Sequence, residues 1–135
     1  MTRLLVDSSV WIAHFRDVAP ALSDSLLAAL ESSSGHVVCL CEPIAMELLC
    51  APGAASAAQV ARVVDGLPSL SVNPALDFRS AATLYRDARG RGFTVRSLVD
   101  CLIAAVAIRH DAVIVHRDRD FDHLAQVSPL RAQRW

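Results

Sequence analysis

The stretch Arg3-Leu4-Leu5-Val6-Asp7-Ser8-Ser9 decides how this chain folds. Its continuous apolar run suits a strand buried on both faces, as in a parallel sheet. The strand, read over residues 3–7, ends in a carboxylate, Asp7. Ser8 or Ser9 can then cap a helix in which Val10, Trp11, Ala13, His14 and Phe15 stand at helical spacing.

Outward from this start, strands and helices alternate. A second helix begins near Pro20, a favourable first helical position, and Leu22, Leu26, Leu27 and Leu30 keep a helical period. Residues 36–40 read as the second strand. Glu42-Pro43 opens a short helix through Cys50, broken at Ala51-Pro52-Gly53. An alanine-rich helix is predicted over about 54–65, and a short third strand over 68–72. Asn73-Pro74 starts a helix running to about Ala88. Ser97-Leu98-Val99-Asp100 has the form of a capping box, and the helix it opens is apolar on nearly every side to Ile108. Residues 112–115 make the fourth strand, and 121–125 a short helix. A last short strand is expected near Gln126-Val127, with the tail from Arg131 loose. The alternation predicts an α/β fold, a parallel sheet with helices on both faces, in one domain over residues 1–135.

Composition narrows the class. Apolar residues make up 53% of the 135 residues, which argues against disorder. No apolar run approaches the roughly 18 residues of a membrane span, and no signal peptide is evident, so a cytoplasmic protein is expected. Net charge is −1, which does not suggest a general nucleic-acid coat. All 13 basic residues are Arg, which fits phosphate recognition but also a codon bias. The cysteines, Cys39, Cys41, Cys50 and Cys101, lack zinc-knuckle spacing and read as small core residues in a reducing compartment. His14, His110 and His116 show no metal-ligand spacing and read as surface or partly buried residues.

Four acids are candidates for one site. In open parallel sheets ligands bind beyond the carboxyl ends of the strands. Asp7 ends the first strand and Asp118 lies just past the fourth. Glu47 follows the second strand on its helix, and Asp100 sits in the first turn of the apolar helix. Packed carboxylates repel unless a divalent cation neutralises them, and Mg²⁺ and Mn²⁺ prefer such oxygen ligands. A bound cation can acidify and orient a water and offset charge on a scissile phosphate. Each acid also has a plainer reading. Asp7 and Asp100 can act as caps, Glu47 as a solvated helix residue, and Asp118 as part of the charged run Arg117 to Asp122. Arg86, Arg89, Arg91 and Arg96 can form a positive lip for RNA phosphates, or an ordinary solvated face.

Four pieces in order carry a resemblance: Leu5-Val6-Asp7-Ser8-Ser9-Val10-Trp11-Ile12, Pro43-Ile44-Ala45-Met46-Glu47-Leu48, Val99-Asp100-Cys101-Leu102-Ile103-Ala104, and His116-Arg117-Asp118-Arg119-Asp120-Phe121. The chain resembles PIN-domain proteins, more narrowly the VapC toxins of bacterial toxin–antitoxin pairs. The resemblance implies a three-layer α/β/α sandwich and an Mg²⁺- or Mn²⁺-dependent endoribonuclease. It carries the catalytic and metal-binding roles onto Asp7, Glu47, Asp100 and Asp118, with Asp7 and Asp100 as the most direct ligands. Ser8 stands where such proteins often have Thr and can hydrogen-bond a carboxylate, while Asp120 is an auxiliary acid. The resemblance also implies a homodimer, or a hetero-oligomer with a small VapB-like antitoxin that often binds DNA. The apolar helices at 20–30 and 43–65 are candidate surfaces for that partner. A PIN-like protein that binds RNA or a partner without turnover is the alternative. A receiver domain would need a late Lys, and a dehalogenase-type phosphatase a second Asp where Ser9 stands.

Overall fold

The structure, a computed structural model, describes residues 1–51, 53 and 55–135. Four strands, β1 (Thr2–Val6), β2 (His36–Cys39), β3 (Val113–His116) and β4 (Arg131–Arg134), form one sheet in the order β2-β1-β3-β4. Every pairing is parallel, with Leu4 opposite Val38 on one side and Val113 on the other. Among the described residues the helices are α1 (Ser8–Phe15), α2 (Pro20–Leu30), α3 (Glu42–Cys50), α4 (Ala57–Gly66), α5 (Asp77–Gly90), α6 (Leu98–Arg109) and α7 (Arg119–Ala125). The chain crosses from β1 to β2 in one direction and from β2 to β3 in the other. Right-handed crossovers of opposite direction put their helices on opposite faces. The sheet is therefore the middle of three layers, and Leu4, Leu5 and Val6 are buried consecutively. Helix α6 is buried nearly all round, as its composition predicts: Cys101 and residues 103–107 are all inside.

This topology creates the crevice. From β1 the chain leaves toward β2, while β3 lies on its other side. The carboxyl ends of β1 and β3 therefore border the point where strand order reverses. Asp7 and Asp118 emerge there.

Four expected elements differ. The strand expected over 68–72 is reduced to one bridge, Leu40 to Ser69. Pro68 has no N–H to donate, and Asn73-Pro74 cuts the run short. The segment is instead held by Arg109, whose Nη2 donates to the Ser71 carbonyl at 2.6 Å. The strand expected at 126–127 is absent, and the tail expected to be loose is β4, paired with β3 from Val113–Arg131 to His116–Arg134. An exposed edge strand needs only its backbone and is protected by charge, so Arg-Ala-Gln-Arg carries no apolar signal. Helix α5 starts at Asp77, behind a turn over 74–76 that Asn73 caps: its Oδ1 accepts the Ala75 N–H at 3.0 Å, and its N–H donates to Asp77 Oδ2 at 2.7 Å. The start of the alanine-rich helix near Ala54 lies outside the described residues, and α4 opens at Ala57 behind a Ser56–Gln59 capping box. Of the cysteines, Cys50 is exposed and not in the core.

Candidate metal centre

Asp7 is fixed by the end of β1. Its N–H donates to the Val115 carbonyl at 2.9 Å, which carries the β1–β3 pairing one residue further. Its Oδ2 accepts the Ser9 N–H at 3.1 Å and the Ser9 hydroxyl at 2.5 Å, so Asp7 itself is the N-cap of α1, and not Ser8 or Ser9, which lie inside the helix. The same hydroxyl accepts the Arg117 N–H at 3.1 Å. Ser9 thus joins the carboxyl ends of β1 and β3. Ser8 serves a different acid: its hydroxyl donates to Glu47 Oε2 at 3.2 Å.

Asp118 caps α7, accepting the Asp120 N–H on Oδ1 at 2.9 Å. Its own N–H donates to His116 Nδ1 at 3.2 Å. That bond puts the ring proton on Nε2, which faces Asp122 Oδ1 at 3.4 Å. His116, expected at the surface or partly buried, is wholly buried, and burial holds its imidazole below the ordinary value. Asp120 is 1% exposed, and its Oδ2 accepts the N–H groups of Arg96 at 3.1 Å and Ser97 at 3.2 Å. This seats the loop that enters α6. Ser97 accepts the Asp100 N–H at 3.3 Å, which is half of the capping box. The return half is not made, because Asp120 occupies the Ser97 N–H. The Asp100 carboxylate is thereby released to face the other acids.

A common pattern runs through the group. Asp7, Glu47 and Asp120 each commit one carboxylate oxygen to a fold-holding hydrogen bond. The other oxygen of each (Asp7 Oδ1, Glu47 Oε1, Asp120 Oδ1) is buried without a hydrogen-bond partner, as is Asp100 Oδ2. Burial, the neighbouring Asp120 carboxyl and the charges of Asp7 and Asp118 push Asp100 up to about 9. Burial likewise raises Asp7, against the bonds from Ser9. Burial and then the Asp7 charge raise Glu47. One oxygen each from Asp100, Asp118 and Asp120 lie within 4.8 Å of one another. An all-oxygen, like-charged, desolvated set with unpartnered atoms fits a hard divalent cation. Asp120, expected as an auxiliary acid, belongs to the tightest part of it.

The arginines are distributed differently from the expected lip. Arg96 reaches back to Asp118, 3.5 Å, and Asp120, 3.9 Å. Arg91 donates to the Gln126 carbonyl at 3.2 Å, and Arg86 and Arg89 stand exposed on α5. A cavity that touches Asp118, about 320 Å³, is lined by Ser9, by Arg96 from the expected lip, and by Arg117, Arg119 and Arg134. Arg117 and Arg119 were legible in the charged run after the fourth strand. Arg134 was not, since only the pairing of β4 brings it there.

A parallel sheet with acids gathered at the reversal of strand order defines a class. The chain belongs to the PIN domain family, whose pattern matches residues 4–127. Among individual proteins, it is 47% identical over 132 residues to "Ribonuclease VapC11" of Mycobacterium tuberculosis, with 96% of each chain covered. Solved structures share the fold. VapBC-1 from nontypeable Haemophilus influenzae superposes with a TM-score of 0.71 at 16% identity, covering 99% of this chain and 98% of that one. VapBC-5 from Mycobacterium tuberculosis, a member of a family of toxin–antitoxin systems, gives 0.66 at 22% identity, with both chains fully covered.

Proposed function

We propose that this chain, as a single domain over residues 1–135, is a metal-dependent endoribonuclease and the toxin of a toxin–antitoxin pair. The observation that carries the reading is the set of buried, unpartnered carboxylate oxygens on Asp7, Glu47, Asp100 and Asp120 beside Asp118. The 47% identity to a named ribonuclease supports RNA as the substrate.

In this reading Asp7, Asp100, Asp118 and Asp120 would hold Mg²⁺ or Mn²⁺. When bound, the cation offsets charge on the scissile phosphate and makes a nearby water more acidic. The protein's part is positional. Ser9 sets the plane of the Asp7 carboxylate, and Ser8 orients Glu47. Asp120 fixes the loop that presents Asp100. Glu47 Oε1 would accept the proton of the water that attacks phosphorus, a task helped by partial desolvation, while the P–O bond to the leaving nucleotide breaks and its oxygen is protonated from solvent. Arg117 and Arg119 hold flanking phosphates. Among the described residues neither pairs with a carboxylate, so both are free to do so.

The partner reading rests on likeness to VapBC toxin–antitoxin structures and on exposed apolar side chains. Leu27 and Leu30 on α2, and Met46 and Leu49 on α3, are 40% to 66% exposed. These are surfaces that an antitoxin or a second copy would cover. Among the described residues no helix is long and apolar enough to cross a membrane.

The test is cleavage of total RNA by purified, partner-free protein in Mn²⁺ or Mg²⁺, beside an EDTA control and Asp100→Asn. Discrete fragments lost in both controls are expected. Folded protein that cuts no RNA pool would favour a PIN-like binder without turnover. Cutting that survives both controls would refute the role given to Asp100.

A further inference from the structure

A second cavity, about 330 Å³, adjoins the arginine-lined one and shares Arg96 and Arg119 with it. Its remaining walls include Phe93, Thr94 and His123. Phe93 and His123 are stacked, with ring centroids 4.8 Å apart and planes inclined by 10°. The Arg91 guanidinium stands 5.9 Å from the Phe93 ring centre. Phe93 is put there by the end of α5. Gly92 takes φ +84°, its N–H donates to the Arg89 carbonyl at 3.0 Å, and the Phe93 N–H donates to the Ala88 carbonyl at 2.9 Å. This is a Schellman closure, which leaves the residue after glycine in a defined place. His123 comes from α7, the helix that Asp118 caps. Both rings are half-buried, and His123 Nδ1 has no hydrogen-bond partner.

Two neighbouring cavities, one cationic and one walled by two rings stacked on each other, match the two halves of a nucleotide. We propose that one unpaired base of the RNA, next to the cut, continues the Phe93–His123 stack, which serves as its platform. The phosphate of that nucleotide lies between Arg117 and Arg119, beside Asp118. This rests on the ribonuclease reading above and adds the residues that hold a flanking base. A base can lie on the platform only if it leaves its own stack, so the nucleotide must be single-stranded or looped out. Stacking tolerates any base, and the platform fixes register more than identity.

The experiment uses the full chain and a short single-stranded RNA spanning a cleavage position mapped in total RNA. Each nucleotide around the cut is replaced in turn by an abasic one, and kcat/KM is measured for every substrate. One abasic position is expected to lower kcat/KM by about tenfold or more, the scale of one lost base stack. In Phe93→Leu and in His123→Leu the intact substrate is expected to be cut more slowly, with the abasic penalty at that position largely gone. Binding of the same RNAs by fluorescence anisotropy in EDTA should repeat the pattern without turnover. Wild-type protein that cuts every abasic substrate equally well would overturn the platform and leave the nuclease reading intact. So would a penalty of the same size in the variants. If Phe93→Leu does not fold, the wild-type scan and His123→Leu decide the matter. Wild-type protein that neither cuts nor binds any RNA would overturn both readings.

Discussion

Ser9 offers the sharpest test of how the acidic centre is held. The sequence offers Ser8 or Ser9 as the cap of the first helix, and the family resemblance points to Ser8 as the hydroxyl that bonds a carboxylate. In the structure Ser9 bonds Asp7, while Ser8 bonds Glu47. Ser9→Ala removes the hydroxyl bond to Asp7 Oδ2 and the acceptor for the Arg117 N–H. The Ser9 backbone N–H still reaches Asp7, and the Arg117 N–H is exposed enough to find water. The net loss is then one hydrogen bond to a charged group, about 1.5–3 kcal/mol. Removing a bond that orients a metal ligand typically lowers metal affinity or activity by about 10–100-fold. Cleavage should therefore need more Mn²⁺ or Mg²⁺ for half-maximal rate, and kcat/KM at low metal should fall within that range. Ser8→Ala should be milder in metal dependence, because Glu47 is half-exposed and its Oε2 can be rehydrated. The assay is kcat/KM against metal concentration for wild type and both variants, with urea unfolding alongside. A Ser8→Ala variant with the larger shift in metal requirement would refute this division of labour.

Asp77 supports the scaffold away from the centre. It is 1% exposed and accepts Arg109 Nε and Nη2, both at 2.8 Å, so it clamps α5 to α6. Asp77→Asn should cost about 2–3 kcal/mol in urea unfolding at pH 7, at or below the range for a broken buried pair because Arg109 can reach water. The Arg109 bonds hold the Asp77 carboxyl below its ordinary 3.8, so the wild-type advantage is full above that pH. It should vanish as pH falls through the lower folded value; an advantage that persists there would contradict the assignment. Asp120→Asn keeps the size and an acceptor for the Arg96 and Ser97 N–H groups but removes a charge. It should lower cleavage by about tenfold or more with no loss of thermal stability, and unchanged cleavage would reduce Asp120 to a loop anchor. Gly92→Ala meets no atom within 4 Å, so its cost is the left-handed backbone alone, about 1–2 kcal/mol in urea unfolding.

What could be read from the sequence was local. The β1 run, the Pro20 and Glu42-Pro43 helix starts and the all-apolar α6 follow from periodicity and capping, and all are present. Asp7 and Asp118 could be assigned to one rim because strand ends are legible and parallel sheets bind ligands there. The rest depended on which distant backbone groups meet. Asp120 was legible only as an auxiliary acid, through the family resemblance. Its importance comes from the N–H groups of Arg96 and Ser97, more than twenty residues earlier. Arg96 looked like a free cation for RNA, yet the loop that Asp120 anchors turns it onto the acids. The tail looked loose because an edge strand needs no apolar side chains, and its pairing with β3 brings Arg134 within 2.6 Å of Asp122.

The capping chemistry and the acidic centre are the same set of residues, and this explains how so much negative charge can be gathered in one place. A carboxylate at a helix N-terminus is stabilised by backbone N–H groups and the helix dipole. Asp7 and Asp118 occupy such positions at α1 and α7, and Asp120 takes two N–H groups at the entry to α6. Each has one side held by backbone donors that persist whether or not anything is bound. Asp100 is the exception: it lies within the first turn of α6, its own N–H is satisfied by Ser97, and its Oδ2 has no partner. Burial and the neighbouring acids push it up to about 9. A cation entering this centre thus meets several acids already oriented by the fold and one whose charge no backbone donor stabilises. That asymmetry ties the ionisation of Asp100 to the cation, and its removal should separate folding from catalysis.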